Sequence, residues 1–545
     1  MSKKIKFDDK NRELFLKAVD KTAKAVGCTL GPKGRFVAID KGANPVFSKD
    51  GWTVLNSIDF DDPTENLALS LLRNVATKTN NDVGDGSTTF TVLANSILKE
   101  GIKSIKAGYN PVEVKKGIDR AVEIAIDVIK KTAKPISTND EILQVASISA
   151  NNDKEIGNLV LDAVNHAGHD GIISIEESKN INSSIEVVEG LQIDRGYLSP
   201  YFIKSKDSDE IVLDNAFVLI TDKKLSSVKE LVPTLEQVVG INKPLLIIAD
   251  DIDGEAMASL IINNARGAIN VCAVKAPAFG DKRKEMLDDI AVLTGGTFIS
   301  EELGYNLEKA TLEMLGSAST IKITKNTTTI INGNGDKEII RKRTEDLKAL
   351  IDKAENKYDK EKYRERLAKL TNGIVVIKVG ALTELELKEK KYRVEDALSA
   401  TKSALDEGIV PGGSSALLYA AKAITSEIVL KADEYSDASK VGMRIVQNAL
   451  QYPLKKIAEN AGFNPDVIVG KVLENIDGDN KSYGFNAENG MFEDMFEAGI
   501  VDSAKVAKET LRNSASIAGM MLVTECSIAD VPEKHSSTPM PMMMG

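Results

Sequence analysis

Glycine-containing segments that open helices carry the strongest chemical signal in the sequence. Gly84-Asp85-Gly86-Ser87-Thr88-Thr89 leads directly into Val92 to Ile105, an apolar segment with helical periodicity. Free N–H groups and the helix dipole at such an N-terminus favour a phosphate. Asp85 would repel that phosphate unless a cation lay between them, which is how Mg²⁺ binds one carboxylate and several phosphate oxygens. A helix N-cap with a turn is the structural alternative.

Two further glycine segments have the same character. Thr29-Leu30-Gly31-Pro32-Lys33-Gly34 ends a predicted helix over 11–29 and exposes backbone amides, and Val410-Pro411-Gly412-Gly413-Ser414-Ser415 opens another helix. There is no GxxxxGK[ST] loop, and Gly333-Asn334-Gly335 is not a dinucleotide fingerprint because Glu338 occupies the third glycine position. Each segment is weak alone, but three in one chain justify a phosphate-binding hypothesis.

Composition limits the remaining chemistry. The chain has 545 residues, and 70 basic against 81 acidic side chains give a net charge of −11, which argues against binding to nucleic acid or to an anionic membrane surface. Three cysteines and three histidines make no disulfide framework or zinc site, and His166 and His169 lack a third ligand. Any catalysis should therefore use carboxylates, hydroxyls, lysines and backbone amides. With no signal, transit or membrane-spanning segment apparent, we expect a cytoplasmic protein.

The elements that must position these residues change character along the chain. Both ends have helical periodicity, and the pattern from about 66 to 129 predicts helices with breaks near 84–86 and 108. In the middle, short apolar runs at 245–249, 271–274 and 375–379 alternate with helical patterns and predict βα units around a buried sheet. The charged segment 338–370 predicts a solvated helical hairpin, with a partner-binding coiled coil as the alternative. This order predicts a helical domain interrupted by an inserted α/β domain, with a flexible tail from about residue 531.

Several longer motifs make the sequence recognisable. They are TLGPKGR (29–35), SKDG (48–51), GDGSTT (84–89), VASISANND (145–153), DRGYLSPYF (194–202), VKAPAFGDKRKEML (274–287), RVEDALSA (393–400) and PGG (411–413). In this order and spacing they resemble the group I chaperonins, the GroEL family, over essentially the whole chain.

The resemblance implies a multi-domain fold. A helical, ATP-binding equatorial domain would combine residues 1–131 and 407–545, and a small α/β intermediate domain would combine 132–188 and 375–406. An α/β apical domain would span 189–374. The implied function is that of an ATP-dependent chaperone and ATPase. It would bind unfolded client proteins and a GroES-like co-chaperonin, and would assemble into heptameric rings, with two rings stacked.

The resemblance also implies roles for individual residues, with ATP, Mg²⁺ and K⁺ as cofactors. Asp50 and Asp396 match the catalytic pair, and Asp85 matches the Mg²⁺ ligand. Asp396, taken alone, could equally be an acid favoured by a helix start. Positions around K⁺ match Thr29, Lys49 and Thr88. Phosphate contacts match Thr29, Leu30, Gly31, Pro32, Asp85, Gly86, Ser87, Thr88 and Thr89, and contacts to adenine and ribose match Gly413, Asn486, Ala487 and Asp502.

A second implied site lies in the apical segment. Two predicted helices carry apolar residues at helical spacing, which on the pattern alone indicates ordinary core faces. The resemblance instead places a set of residues at the lip of a cavity, where they would bind exposed apolar surfaces of clients and a co-chaperonin loop. These residues are Tyr197, Tyr201, Phe202, Val232, Leu235, Met257, Ile261 and Ile262.

Some positions depart from the family pattern. They are Ser87, Phe90, Trp52, Ser414, Glu488, which replaces an Ala, and the pair Phe463-Asn464 in a region of ring–ring contact. These departures leave open a paralogue with weakened ATPase activity, a specialised client or a non-folding role. A metabolic phosphotransferase is a more distant alternative, since no acceptor pocket is indicated.

Overall fold

The structure is a computed structural model. It describes residues 3–40, 45–168, 171–178, 180–188, 190–204, 210–353, 359, 362–363, 366–367, 369–370, 373–476 and 480–531. The chain divides into two compact units. The first comprises Met1–Asp162, Glu177–Ser183 and Val379–Gly545, and the second comprises Ala163–Glu176 and Ser184–Lys378, each within the described ranges.

The α-helices are numbered in chain order. They are α1 (Asp8–Gly27), α2 (Gly51–Asn56), α3 (Pro63–Val83), α4 (Ser87–Lys106), α5 (Pro111–Thr132), α6 (Asn139–Ser149), α7 (Lys154–Ala167), α8 (Val232–Ile241), α9 (Gly254–Ala265), α10 (Gly280–Thr294), α11 (Lys337–Lys353), α12 (Glu384–Glu407), α13 (Ser415–Leu430), α14 (Asp437–Ala449), α15 (Tyr452–Asn460), α16 (Pro465–Asn475) and α17 (Ala504–Val523).

The β-strands are numbered in the same way. They are β1 (Lys3–Phe7), β2 (Val37–Ile39), β3 (Val46–Ser48), β4 (Ile173–Glu177), β5 (Ser184–Val188), β6 (Gly190–Ile193), β7 (Ile211–Thr221), β8 (Lys224–Leu225), β9 (Leu245–Ala249), β10 (Asp251–Ile252), β11 (Val271–Lys275), β12 (Phe298–Ile299), β13 (Gly316–Ile323), β14 (Thr328–Gly333), β15 (Ile374–Val379), β16 (Ile409–Pro411), β17 (Tyr483–Asn486), β18 (Met491–Asp494), β19 (Val501–Ser503) and β20 (Cys526–Asp530).

The first unit is built on long helices with clear boundary signals. α3 and α5 each begin at a proline preceded by a capping side chain, Asp62 or Asn110, which accepts hydrogen bonds from the first turn. Their apolar faces and those of α1, α4, α13, α14 and α17 form one core, in which Phe15, Phe90 and Ile118 are buried. The helices predicted between 66 and 129, with breaks near 84–86 and 108, are confirmed. β1 pairs antiparallel with β20 and joins the two ends of the described chain.

The second unit is built around a seven-stranded sheet. The order is β11-β9-β7-β13-β14-β6, and β12 also pairs with β7. β11, β9 and β7 are parallel, as the predicted βα units require, whereas β13, β14 and β6 add antiparallel pairs. The expectation of βα units therefore holds for only part of this sheet, because the short β13–β14 connection forces an antiparallel return. β15, predicted as a strand, lies in a separate sheet of order β4-β15-β5.

Three other expectations concern the domain division, the tail with the helical hairpin, and membrane-spanning segments. The division into equatorial, intermediate and apical domains stays a prediction, since the segments assigned to an intermediate domain are shared between the two units. The flexible tail, apart from residue 531, and part of the helical hairpin over 338–370 lie outside the described residues. Within the described ranges, none of the helices combines the length and the apolar character that crossing a membrane requires.

Candidate functional site

The loop that follows α1 is held in a tight turn. The Gly34 amide donates to the Gly31 carbonyl (2.9 Å), and the Arg35 amide donates to the Cys28 carbonyl (2.8 Å). Gly31 has a φ of +83°, and a Cβ atom at Gly34 would lie 2.0 Å from the Thr29 carbonyl oxygen. Only glycine fits these two positions. The segment Thr29 to Pro32, predicted to contact phosphate, therefore has a fixed backbone path.

The start of α4 has backbone amides without a capping side chain. Gly86 precedes the helix with a φ of +88° and supplies no capping side chain, so the amides of Ser87, Thr88 and Thr89 lack the helical partners that later residues have. A Cβ atom at Gly86 would lie 2.4 Å from Thr510 Oγ1, which is buried and has no hydrogen-bond partner among the described residues. This helix start is suited to a phosphate.

The structure brings the two phosphate segments together. The hydroxyl oxygens of Thr29 and Thr88 lie 3.5 Å apart. Gly51 completes the contact, because a Cβ atom there would lie 2.0 Å from Thr88 Oγ1. Lys49 is half-buried, and its ammonium group lies 4.9 Å from the centre of the Phe36 ring. An ammonium group cannot bind a cation, so Lys49 would have to contribute its carbonyl oxygen to any K⁺ site.

Asp50 caps the short helix α2. Its carboxylate accepts hydrogen bonds from the amides of Trp52 (3.2 Å) and Thr53 (2.7 Å) and from the Thr53 hydroxyl (2.6 Å). These three donors fix the side chain, and its charge contributes to raising the pKa of Asp85 and of Asp396. The predicted catalytic residue thus also has a structural role as an N-cap.

The charges of Asp50 and Asp85 contribute to raising the pKa of buried aspartates at this site. Burial, and then the charge of Asp50, raises the pKa of Asp85, although a hydrogen bond from the Ser149 hydroxyl (2.8 Å) opposes the shift. Burial, and then the charges of Asp50 and Asp85, holds the pKa of Asp396 well above its usual range. Burial, and then the charge of Asp85, raises the pKa of Asp502 to about 7. A cation close to Asp85 would offset this repulsion between negative charges.

These residues fit a cation that is shared with phosphate. Among the residues that the structure describes, no three Asp, Glu, His or Cys side chains are grouped closely enough to hold one metal ion. Mg²⁺ suits this arrangement, because it binds through one or two carboxylates and completes its shell with phosphate oxygens and water. Asp85 is the carboxylate next to the α4 start. The neighbouring hydroxyls of Thr29 and Thr88 supply oxygen ligands of the kind that K⁺ accepts.

The predicted adenine and ribose contacts also lie near one another. Gly413 precedes α13 with a φ of +58°, and its Cβ position is 3.6 Å from the Phe485 carbonyl and 3.9 Å from Ile500. Phe485 is adjacent to Asn486 and Ala487, and Ile500 is two residues before Asp502, which pairs with Val410 across β16 and β19. Ser414 keeps the left-handed conformation (φ +69°) although it replaces a glycine of the family pattern.

Asp396 is carried by α12, which is fixed to the turn after α6. Arg393 donates to Asp153 (2.8 Å) and also contacts Glu389 one turn earlier on its own helix (2.9 Å). The same turn begins at Ser149, the hydrogen-bond donor to Asp85. One loop therefore contacts both the acid at the phosphate segment and the helix that carries Asp396.

The second candidate site, on α8 and α9, is only partly open to solvent. Tyr201 (74% exposed), Val232 and Ile262 (48% exposed) lie on the surface, while Tyr197, Leu235, Met257 and Ile261 are half-buried against the core. Val238 and Leu260 from the same helices are buried. Each helix therefore packs one face against the core and exposes apolar side chains to solvent on the other face. Phe202 is 1% exposed and supports this surface from beneath.

Comparison with known proteins identifies the family of the chain. The sequence model of the TCP-1/cpn60 chaperonin family matches residues 22–532. The chain belongs to this chaperonin family. The fold is similar to that of the chaperonin gp146 from the bacteriophage EL 2 (Pseudomonas aeruginosa), crystallised in the presence of ATP-BeFx, with a TM-score of 0.66. That comparison has 21% sequence identity and covers 97% of this chain and 99% of that chain. The chaperonin fold expected from the sequence is confirmed, whereas the narrower assignment to group I stays a prediction.

Two positioning residues of the chaperonin were missed by reasoning from sequence. Asn460, the last residue of α15, donates from Nδ2 to the carbonyls of Gly27 and Leu30, both at 2.9 Å, and so holds the first phosphate loop. Asn264 on α9 donates to the Phe202 carbonyl (3.2 Å) and accepts from the Val271 amide (3.2 Å). Both lie near helix ends, and nothing in the local sequence distinguishes them from ordinary helix-terminal residues.

Proposed function

We propose that this chaperonin binds and hydrolyses ATP at the site formed by the loop after α1 and the start of α4, and that it uses this reaction to bind and release unfolded proteins. The observation that carries the proposal is the meeting of the two glycine segments, where the hydroxyl oxygens of Thr29 and Thr88 lie 3.5 Å apart beside the start of α4. The Cβ position of Gly51, next to Asp50, lies 2.0 Å from Thr88 Oγ1, so this acid lies beside the same segment.

Different residues of the chain bind the phosphates and carry out hydrolysis in this proposal. The open amides at the start of α4 and the rigid Thr29–Pro32 segment hold the phosphates, and Asp85 would hold Mg²⁺, which supplies positive charge against the phosphate oxygens. Asp396 orients the attacking water and accepts its proton as the water oxygen bonds to the γ-phosphorus and the bond to ADP breaks. Asp50, fixed by three hydrogen bonds, holds the same water from the other side.

The proposal extends to assembly and partners. Ile5, Phe7 and Ile528 are exposed on the β1/β20 pair, and Phe36 and Phe47 are exposed at the β2/β3 hairpin. Apolar side chains beside short, two-stranded sheets favour contact between copies of the chain. We propose a heptameric ring, stacked in pairs, that requires K⁺, acts in the cytoplasm and uses a GroES-like co-chaperonin. The apolar surface of α8 and α9 would bind clients without sequence specificity, because apolar burial makes no directional demands.

The decisive experiment is Asp396→Asn, which keeps the side-chain shape and removes the proton acceptor. We expect ATP binding to persist while turnover falls by about 100-fold or more, within the range that general-base catalysis contributes. Asp406→Asn on the same helix, where the acid pairs with Lys505, is the matched control and should turn over normally. Near-normal turnover by Asp396→Asn would remove the catalytic role. Turnover without refolding of a stringent client would favour a specialised paralogue.

A further inference from the structure

The turn between α6 and α7 has an unusual backbone. Asn151 and Asn152 are consecutive left-handed residues with φ of +59° and +67°. The Asn152 amide donates to the Ser147 carbonyl at 2.8 Å, which closes the turn on its own helix. Asparagine is among the few residues with a side chain that tolerate this conformation. The turn therefore presents the Asn152 side chain in a fixed direction.

That side chain contacts the segment predicted to bind the nucleotide base. Asn152 Nδ2 donates to Glu488 Oε2 at 2.5 Å, although the two residues are 336 positions apart. The Glu488 amide in turn donates to Asn486 Oδ1 at 3.0 Å, and Asn486 Nδ2 donates to Glu493 at 2.8 Å. Glu488 thus connects the turn to Asn486 and to the buried Ala487 between them.

The same turn also contacts the candidate metal ligand Asp85. Ser149 donates to Asp85 at 2.8 Å, next to the phosphate-binding helix start. Five residues, from Ser149 to Asp153, therefore touch the candidate metal ligand at one end and the candidate base-binding segment at the other. A nucleotide in this site would lie between two segments that the turn holds together.

We propose that the Asn152–Glu488 hydrogen bond is a latch that retains the bound adenine nucleotide and slows its release. The inference rests on the nucleotide site of the proposed function and adds a positioning pair to it. Glu488 itself does not react with the nucleotide, because its carboxylate is engaged by Asn152 and its amide by Asn486. Opening the latch frees the turn from the base-binding segment, which lowers the barrier to nucleotide escape.

The test measures dissociation of a fluorescent ADP analogue from the full-length protein, chased with excess unlabelled ADP. Glu488→Ala removes the acceptor, and Asn152→Asp places two carboxylates opposite each other while keeping a residue that tolerates a positive φ. Because the pair is exposed, we expect each variant to release the nucleotide about two- to five-fold faster than the wild type. Glu474→Ala, an exposed acid on α16, is the control and should match the wild type.

A double variant separates the latch from a general loss of structure. Combining Asn152→Asp with Glu488→Gln reverses donor and acceptor, so the hydrogen bond can form again and release should return to within about two-fold of the wild type. Unchanged release in both single variants, or no recovery in the double variant, would overturn the latch while the nucleotide site stands. A wild-type protein that binds no adenine nucleotide would overturn the proposed function and the latch with it.

Discussion

Gly51 and Thr88 approach so closely that a Cβ atom at Gly51 would lie 2.0 Å from the Thr88 hydroxyl oxygen. The two residues belong to different segments, and the contact places the N-cap residue Asp50 beside the phosphate-binding start of α4. Gly51 has an ordinary φ, so its requirement for glycine comes from space and not from backbone conformation.

Gly51→Ala should therefore disrupt the site without unfolding the protein. The added methyl group must displace Thr88 or Asp50, and we expect ATP turnover to fall by about ten-fold or more, since small displacements of catalytic groups are costly. Phosphate release from ATP and thermal denaturation check both parts. Gly470→Ala, in α16 with nothing within 4 Å of its Cβ position, is the control and should keep full turnover. Equal turnover in the two variants would contradict the prediction.

The apolar periodicity and the glycine breaks in the sequence were sufficient to predict the long helices. α3, α4 and α5 were predicted because their apolar spacing is regular and the breaks at Gly84 to Gly86 and at Gly108 are explicit. The mixed sheet was only half predicted, because strand direction depends on the β13–β14 connection and on partners far away in the chain.

In the candidate site, too, residues marked by local sequence features could be predicted, whereas residues defined by tertiary contacts could not. The candidate phosphate segments could be proposed from Gly31, Asp85 and Gly86, since helix starts and glycine turns are local features, and their role stays a prediction. Asn460, which donates to two carbonyls more than 400 positions earlier, could not be identified, because a single asparagine has no pattern. The burial of Phe202 was missed for a related reason: its motif resembles that of a lip residue, whereas its exposure depends on tertiary packing.

Asn460→Ala should weaken nucleotide binding through the loop it holds. Removing the amide takes one donor from the buried Gly27 carbonyl, which keeps the Leu30 amide at 3.2 Å, and takes the side-chain donor from the part-buried Leu30 carbonyl, at a cost of about 1–3 kcal/mol in the free energy of unfolding. Part of this cost should appear as weaker ATP binding by calorimetry. Asn475→Ala, which loses one exposed hydrogen bond at the end of α16, is the control. An unchanged ATP affinity in Asn460→Ala would show that the loop is held by other contacts.

Asp502 should make the nucleotide-free protein less stable as pH rises. Its pKa is raised to about 7, so between its unfolded value near 4 and about 7 the folded state retains a proton that the unfolded state has lost. Stability from this group is present at low pH and falls as pH rises through that window, by about 1.4 kcal/mol per pH unit.

Asp502→Asn removes this dependence. In thermal denaturation without nucleotide or Mg²⁺, the melting temperature of the variant minus that of the wild type should increase from pH 5 to pH 8. Asp59→Asn, whose side chain is exposed, should show no such trend. The same difference between Asp502→Asn and wild type at every pH would contradict the shifted pKa.

Client binding should depend on the exposed side of α9 and not on its core. Ile262→Ser removes an apolar side chain that is 48% exposed, so we expect stability to change by less than about 0.5 kcal/mol while capture of a denatured client decreases. Light scattering of an aggregating client measures capture. Leu303→Ser, at an exposed site outside α8 and α9, is the control and should protect the client as well as the wild type. Phe202→Ala should instead cost about 3–5 kcal/mol in the free energy of unfolding, because that ring is buried. Full protection by Ile262→Ser would exclude this face as the client-binding surface.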